Sequence, residues 1–285
     1  MTNEQLKLKS IEYRQKLLTC IFNCKAGHTG GSLSSVDILN VLYNEILNVS
    51  PETFSSPIRD RYIQSKGHCV EVLFVVLADM GFFPESDLLT MNQYQSHYIG
   101  HPTRKVKGVE QNTGALGHGL PICVGTAIAA KLDDQDYKVF TLLGDGEIAE
   151  GANWEAAMAA SHYKLDNLCA IIDNNKLQIT STNREVMNSD PLDAKFESFG
   201  WAVREVDGND VGALKVLMQS LPFEKDKPSL IIAHTKKGKG ISFMEDVLKW
   251  HHGVPSAAEY EQAMAELEAA KAVILEEQVA SLVNE

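Results

Sequence analysis

Two short polar turns hold the densest chemistry in this chain. Gly144-Asp145-Gly146 closes an apolar run, Val139 to Leu143, and Asp173-Asn174-Asn175 closes another, Leu168 to Ile172. Short apolar runs bounded by turn residues read as buried strands. The two glycines allow a ligand to approach the backbone closely. Asp145 offers a carboxylate oxygen and the asparagines offer amide oxygens, the hard donors that magnesium accepts alongside phosphate oxygens. With 27 residues between Gly146 and Asn174, room for one helix and one strand, both turns fall at adjacent strand ends. Ligands collect at the carboxyl ends of parallel strands, where loops are free and helix amino termini present unpaired N–H groups. Gly, Asp and Asn are also ordinary turn formers, so the signal lies in the pairing of the two turns.

Histidines supply a second layer. They stand in Ala26-Gly27-His28-Thr29-Gly30-Gly31, Ser65-Lys66-Gly67-His68, Gly100-His101-Pro102 and His252-Gly253-Val254-Pro255. An imidazole can hydrogen-bond a hydroxyl and move a proton near neutral pH. His251 competes with its neighbour His252 for the last of these positions. Gly114-Ala115-Leu116-Gly117-His118-Gly119 is a further glycine-rich turn, opening onto a small-residue helix. Glu150 and Glu155 flank the start of the helix after Gly-Asp-Gly, where the helix dipole alone also favours carboxylates.

The elements that must position these residues follow from periodicity. Helices are expected over Gln5 to Lys25 and Val36 to Leu47, with a loop from Gly27 to Ser32 between them. Arg61 to Gln64 reads as a short strand, Cys69 to Met80 as an apolar helix, and Gln93 to Gln111 as a long loop. A helix from Leu120 to Lys131 precedes the Val139 strand. Another, from about Asn153 to Tyr163, completes a βαβ unit with the Leu168 strand. Strands at Ala202 to Val206 and Leu230 to Ala233 flank a helix from Val211 to Ser220, and Ala257 to Val283 forms a terminal helix or helical pair. The expected class is α/β, a parallel sheet covered by helices on both faces, in a single domain over residues 1–285.

Composition narrows the partners. A net charge of -12 and a pI near 5.2 argue against general nucleic-acid or anionic-membrane binding. Five cysteines, an odd number without zinc spacing, read as core packing in a reducing cytoplasm. No apolar run has the length of a signal core or a membrane span.

The Gly-Asp-Gly to Asn-Asn pairing is similar to the thiamine diphosphate fingerprint, and the histidine loops resemble those of the transketolase family over nearly the whole chain. The resemblance implies a thiamine diphosphate-binding fold, specifically its diphosphate-binding domain. In it Asp145, the Asn175 side chain and the Leu177 carbonyl ligate Mg2+ while Gly146 contacts the diphosphate. It implies His28 and His101 on substrate hydroxyls, His68 and His252 on the cofactor and nearby oxygens, and Gly114, Ala115 and Leu116 against the cofactor. Glu150 joins an acidic proton network. Thr29 and Ala115 stand where the family has prolines.

Such enzymes move a two-carbon ketol unit from a ketose phosphate to an aldose. Only the first part of a complete transketolase is covered. The resemblance therefore implies the amino-terminal subunit of a split enzyme, inactive alone and completed by a carboxy-terminal transketolase subunit that brings the pyrimidine-binding half. The expected assembly is a heterotetramer of two of each chain, acting on sugar phosphates. The alternatives are a subunit of another thiamine diphosphate enzyme, deoxyxylulose phosphate synthase-like or 2-oxo acid dehydrogenase-like, and a non-catalytic cofactor-binding regulatory subunit.

Overall fold

The computed structural model describes residues 1–283. Its centre is a parallel sheet of β1 (Arg61–Gln64), β2 (Val139–Gly144), β3 (Leu168–Asn174), β4 (Ala202–Asp207) and β5 (Ser229–His234), in the order β1-β2-β3-β5-β4. β2 and β3 are buried at every position, which is why their sequences read as unbroken apolar runs rather than alternating ones.

Alternate residues of these strands feed two separate cores. Phe140, Leu142, Cys169 and Ile171 face one layer, made of α1 (Asn3–Cys24), α3 (Val36–Val41), α4 (Val70–Asp79), α9 (Val211–Gln219) and α10 (Ala257–Val283). Val139, Leu143, Ala170 and Ile172 face the other, made of α5 (Gly119–Leu132), α6 (Gly151–His162) and α8 (Leu192–Ser198). The period-two geometry of a strand thus builds a sheet covered on both faces. Cys20, Cys69, Cys123 and Cys169 are buried and Cys24 half-buried, all as free thiols.

The expectations from periodicity need two corrections. The stretch from Gly27 to Ser32 is not a loop throughout, because α2 (Thr29–Ser34) begins inside it. Its Gly-Gly-Ser sequence has poor helix propensity, and burial of all six residues among neighbouring elements overrides that. The helix read over Val36 to Leu47 stops at Val41 and continues as a π-turn from Leu42 to Ile46. Of the two alternatives for the terminal pattern, the single helix is the one formed. Two short helices, α7 (Asn183–Val186) and α8, occupy the β3–β4 connection, where the apolar pattern is too short to announce them. No helix among the described residues is long and apolar enough to cross a membrane.

Candidate cofactor site

The site grows from three neighbouring strand ends. In register, Gln64 lies opposite Leu142 and Gly144 opposite Asp173. The segments Ser65 to His68, Gly144 to Gly146 and Asn174 to Leu177 therefore leave the sheet side by side. They surround a cavity of about 410 Å³, closed by Gly114 and Leu116 on one side and by His28, Lys237 and His251 on another.

Asp145 is buried, and its carboxylate accepts the Gly146 N–H at 2.8 Å and the Lys176 N–H. Burial, with the nearby Asp173 charge, pushes its carboxyl up to about 6. The Asn175 amide donates from Nδ2 to Asp173 at 3.2 Å, which leaves its carbonyl oxygen to accept the Leu177 N–H, also at 3.2 Å. The Leu177 carbonyl accepts from Lys237 Nζ at 3.0 Å. One carboxylate, one amide and one backbone carbonyl do not make a cage of His, Cys, Asp or Glu side chains, and no such group of three occurs among the described residues. The set instead suits a hard cation that completes its shell with phosphate oxygens.

Two buried lysines line the cavity. Lys66 is fully buried and paired with Asp173, which also accepts from Ser34 Oγ at 2.7 Å and from Thr235 Oγ1. Lys237 is buried, and among the described residues no carboxylate forms an ion pair with it; its Nζ lies 2.9 Å from His251 Nδ1. Burial, then the Lys66 charge, lowers its pKa. A buried ammonium without a counter-charge beside hard oxygen donors fits a metal-bound diphosphate, whose anion supplies the missing partner.

The histidines form one cluster around His28. Its ring centroid lies 4.5 Å from that of His252, 5.0 Å from His68, 5.7 Å from His251 and 6.5 Å from His101. His68 and His251 stack with centroids 5.8 Å apart. Burial first, then neighbouring cations and imidazoles, lowers His28 to about 4 and His251 to about 3, and drives His68 down as well. Burial lowers His101 too. At pH 7 these four rings are neutral; His28, His68 and His101 each keep one donor and one acceptor, whereas His251 accepts from Lys237 at Nδ1 and keeps only its Nε2–H to donate.

The cluster is held from beneath. Glu71, buried in the first turn of α4, accepts the His28 N–H at 3.1 Å and the Ser32 hydroxyl at 2.6 Å. Thr29 Oγ1 donates to the Gly253 carbonyl, tying the His28 loop to the His252 loop.

Of the residues singled out in the sequence, His28, His68, Gly114, Leu116, Asp145, Gly146, Glu150, Asn175 and Leu177 line the cavity. His101 and His252 are exposed and do not line it, but each is in ring contact with His28. Ala115 does not line it; its carbonyl lies 3.2 Å from His118 Nδ1. Glu150 is exposed at the amino end of α6, and Glu155 is exposed on the helix itself. The structure adds Lys66, Lys237, His251 and Glu147 to the lining, with Asp173 and Glu71 behind it. Lys66 sat inside a motif already noted for its histidine. Nothing in Lys236-Lys237-Gly238-Lys239 separates the buried Lys237 from the exposed Lys236 and the half-buried Lys239.

Comparison with known proteins agrees with this geometry. The profile described as transketolase, thiamine diphosphate binding domain, matches residues 9–280. An apulose-4-phosphate transketolase subunit of Phocaeicola vulgatus is 47% identical over 267 residues, covering 94% of this chain and 95% of that protein. A 6-deoxy-6-sulfo-D-fructose transketolase subunit from a Clostridium species is 36% identical, covering 94% of this chain and 98% of its own. The crystal structure of a transketolase variant from Pichia stipitis superposes with a TM-score of 0.85 at 26% identity, over 97% of this chain. The aligned region is 44% of that longer polypeptide.

Proposed function

The chain belongs to the transketolase family, and on that premise we propose that it is the amino-terminal subunit of a two-subunit transketolase. The observation that carries the proposal is the cavity itself. Hard oxygens from Asp145, Asn175 and Leu177 line the same space as Lys66, Lys237 and a cluster of neutral imidazoles. The apulose-4-phosphate relatives, whose names make each of them one subunit of an enzyme, support the division into two chains, since this chain matches them over nearly their full length.

Asp145, the Asn175 amide oxygen and the Leu177 carbonyl would hold Mg2+, and Gly146 with Lys237 would meet the diphosphate. Thiamine diphosphate, when bound, supplies the electron sink that ketol transfer needs. This chain's own contribution is to bind, orient and handle protons. Lys237, which donates to the Leu177 carbonyl, would supply positive charge to the diphosphate. His28 and His101 receive sugar hydroxyls, and His68, His251 and His252 surround them. Glu150, at the rim, takes part in proton transfer with groups from another chain. A carboxy-terminal subunit supplies the pyrimidine-binding half, in an assembly of two of each chain in the cytoplasm. The substrates are a ketose phosphate and an aldose, and the name of the Phocaeicola relative makes apulose 4-phosphate the first donor to assay.

The test mixes the purified chain with candidate carboxy-terminal subunits, thiamine diphosphate and Mg2+, and follows ketol transfer from apulose 4-phosphate and from xylulose 5-phosphate. Activity requiring both chains, both cofactors and Asp145 is the expected result. Transfer by this chain alone, or cofactor binding without turnover across a broad sugar panel, would refute the two-subunit catalytic reading.

A further inference from the structure

Glu147 is 2% exposed and takes no part in the chemistry described above. Its side chain nevertheless gathers three segments of the pocket. Oε1 accepts the Gly117 N–H at 2.8 Å and the Ser65 hydroxyl, while Oε2 accepts the Gly144 N–H at 3.0 Å. Ser65 Oγ in turn accepts the Gly119 N–H at 3.1 Å. The same segments touch backbone to backbone: a Cβ at Gly67 would lie 2.7 Å from the Gly114 nitrogen. Each segment brings residues of the cavity wall. The first carries Lys66 and His68, the second Gly114 and Leu116, the third Asp145 and Gly146.

We propose that Glu147 is a positioning residue for the cofactor pocket, whose two oxygens fix the spacing between the Gly144-Asp145-Gly146 turn, the Ser65–His68 segment and the Gly114–Leu116 wall. The inference rests on the thiamine diphosphate reading of this cavity. An ionised carboxylate accepts at both oxygens, whereas a glutamine of the same shape accepts at one and donates at the other. Glu147→Gln therefore opposes its own NH2 to the Gly144 N–H or to the Gly117 N–H, and a buried donor loses its acceptor. The resulting mismatch moves one loop against the next without removing any cofactor ligand.

Two measurements on the full chain test this. In hydrogen–deuterium exchange, Glu147→Gln speeds exchange together in peptides covering 62–69, 114–119 and 143–148, and leaves those from α9 and α10 unchanged. In calorimetry with thiamine diphosphate and Mg2+, carried out with the carboxy-terminal subunit present, the variant binds the cofactor about tenfold more weakly than wild type. Faster exchange confined to 143–148, faster exchange throughout the chain, or unchanged cofactor affinity would overturn the proposal. A wild-type complex that fails to bind the cofactor would instead refute the functional reading, while the exchange data still decide the coupling of the loops. Should Glu147→Gln not accumulate, Ser65→Ala removes one donor and keeps the carboxylate. It then raises exchange at 62–69 and 114–119 but not at 143–148, and no change at 114–119 counts against the proposal.

Discussion

Replacing Lys66 with methionine isolates the buried charge pair beneath the pocket. Lys66 is 1% exposed and Asp173 fully buried, and the carboxylate keeps only neutral donors, from Ser34, Ser35, Asn175 and Thr235, once the ammonium is gone. Burial alone would raise the Asp173 carboxyl; the Lys66 charge and the hydrogen bonds from Lys66, Thr235 and Ser34 together more than reverse that and hold it below its ordinary value. A carboxyl lowered on folding contributes stability above its unfolded value, about 3.9, and loses it as pH falls through the folded value. At pH 7 the pair is therefore complete, and removing one member leaves an uncompensated buried charge.

Such a loss costs about 3–5 kcal/mol. For 285 residues the unfolding entropy near the midpoint is about 0.6 kcal/mol/K, so Tm should fall by about 5–8 °C. Lys66→Met/Asp173→Asn removes the charge from both positions and should recover about half of the loss. Urea unfolding of wild type, both single variants and the double variant at pH 7 gives the coupling energy directly. A single-variant cost below about 1 kcal/mol, or a double variant that costs the sum of the singles, would refute the reasoning.

The neutral histidines set an acid limit on stability. Their pKa values are lowered on folding, so the unfolded chain binds more protons below about 6.5, and stability should decline as pH falls from there toward the folded values. Unfolding midpoints in urea between pH 7.5 and 5 should show this decline, and His68→Gln should flatten it; a flat wild-type profile would exclude the cause. Gly114→Ala introduces a Cβ 2.4 Å from His101 Cδ2 at a backbone φ of +133°, so it should displace His101 and weaken cofactor binding by about tenfold or more, read by calorimetry. His251→Ala should weaken binding of the diphosphate cofactor more than His252→Ala, because His251 meets Lys237 in the cavity wall and His252 does not line it. Calorimetry showing an equal or larger loss for His252→Ala would refute this.

The two turns at the strand ends were legible because their information is local. Each apolar run names a buried strand, and the turn that ends it must emerge at the strand's carboxyl end, so Gly144 to Gly146 and Asn174 to Asn175 could be located from residue types alone. The histidine loops were legible as motifs, but their convergence on His28 depends on long-range packing. Buried charge was not legible. Lys66, Glu71, Glu147 and Asp173 have the residue types of a solvated surface, and only the tertiary structure shows what neutralises or hydrogen-bonds each of them. α2 escaped notice for the opposite reason: its Gly-Gly-Ser sequence argues against a helix, and the contacts that stabilise it come from elements far along the chain.

The cavity draws on residues from His28 to His251, and α1 is fastened to α10 by the stacked rings of Phe22 and Tyr260, 4.4 Å apart, and by the Thr19–Tyr260 hydroxyl contact. A site assembled from such distant segments exists only once the long loops between them have closed. Cofactor capture is then a sensor of finished folding: a growing or misassembled chain that has made the Gly144 turn, but not yet brought Lys237 and His251 to it, has no pocket to fill. Free cofactor therefore favours correctly closed chains by mass action and leaves partly folded ones without that gain.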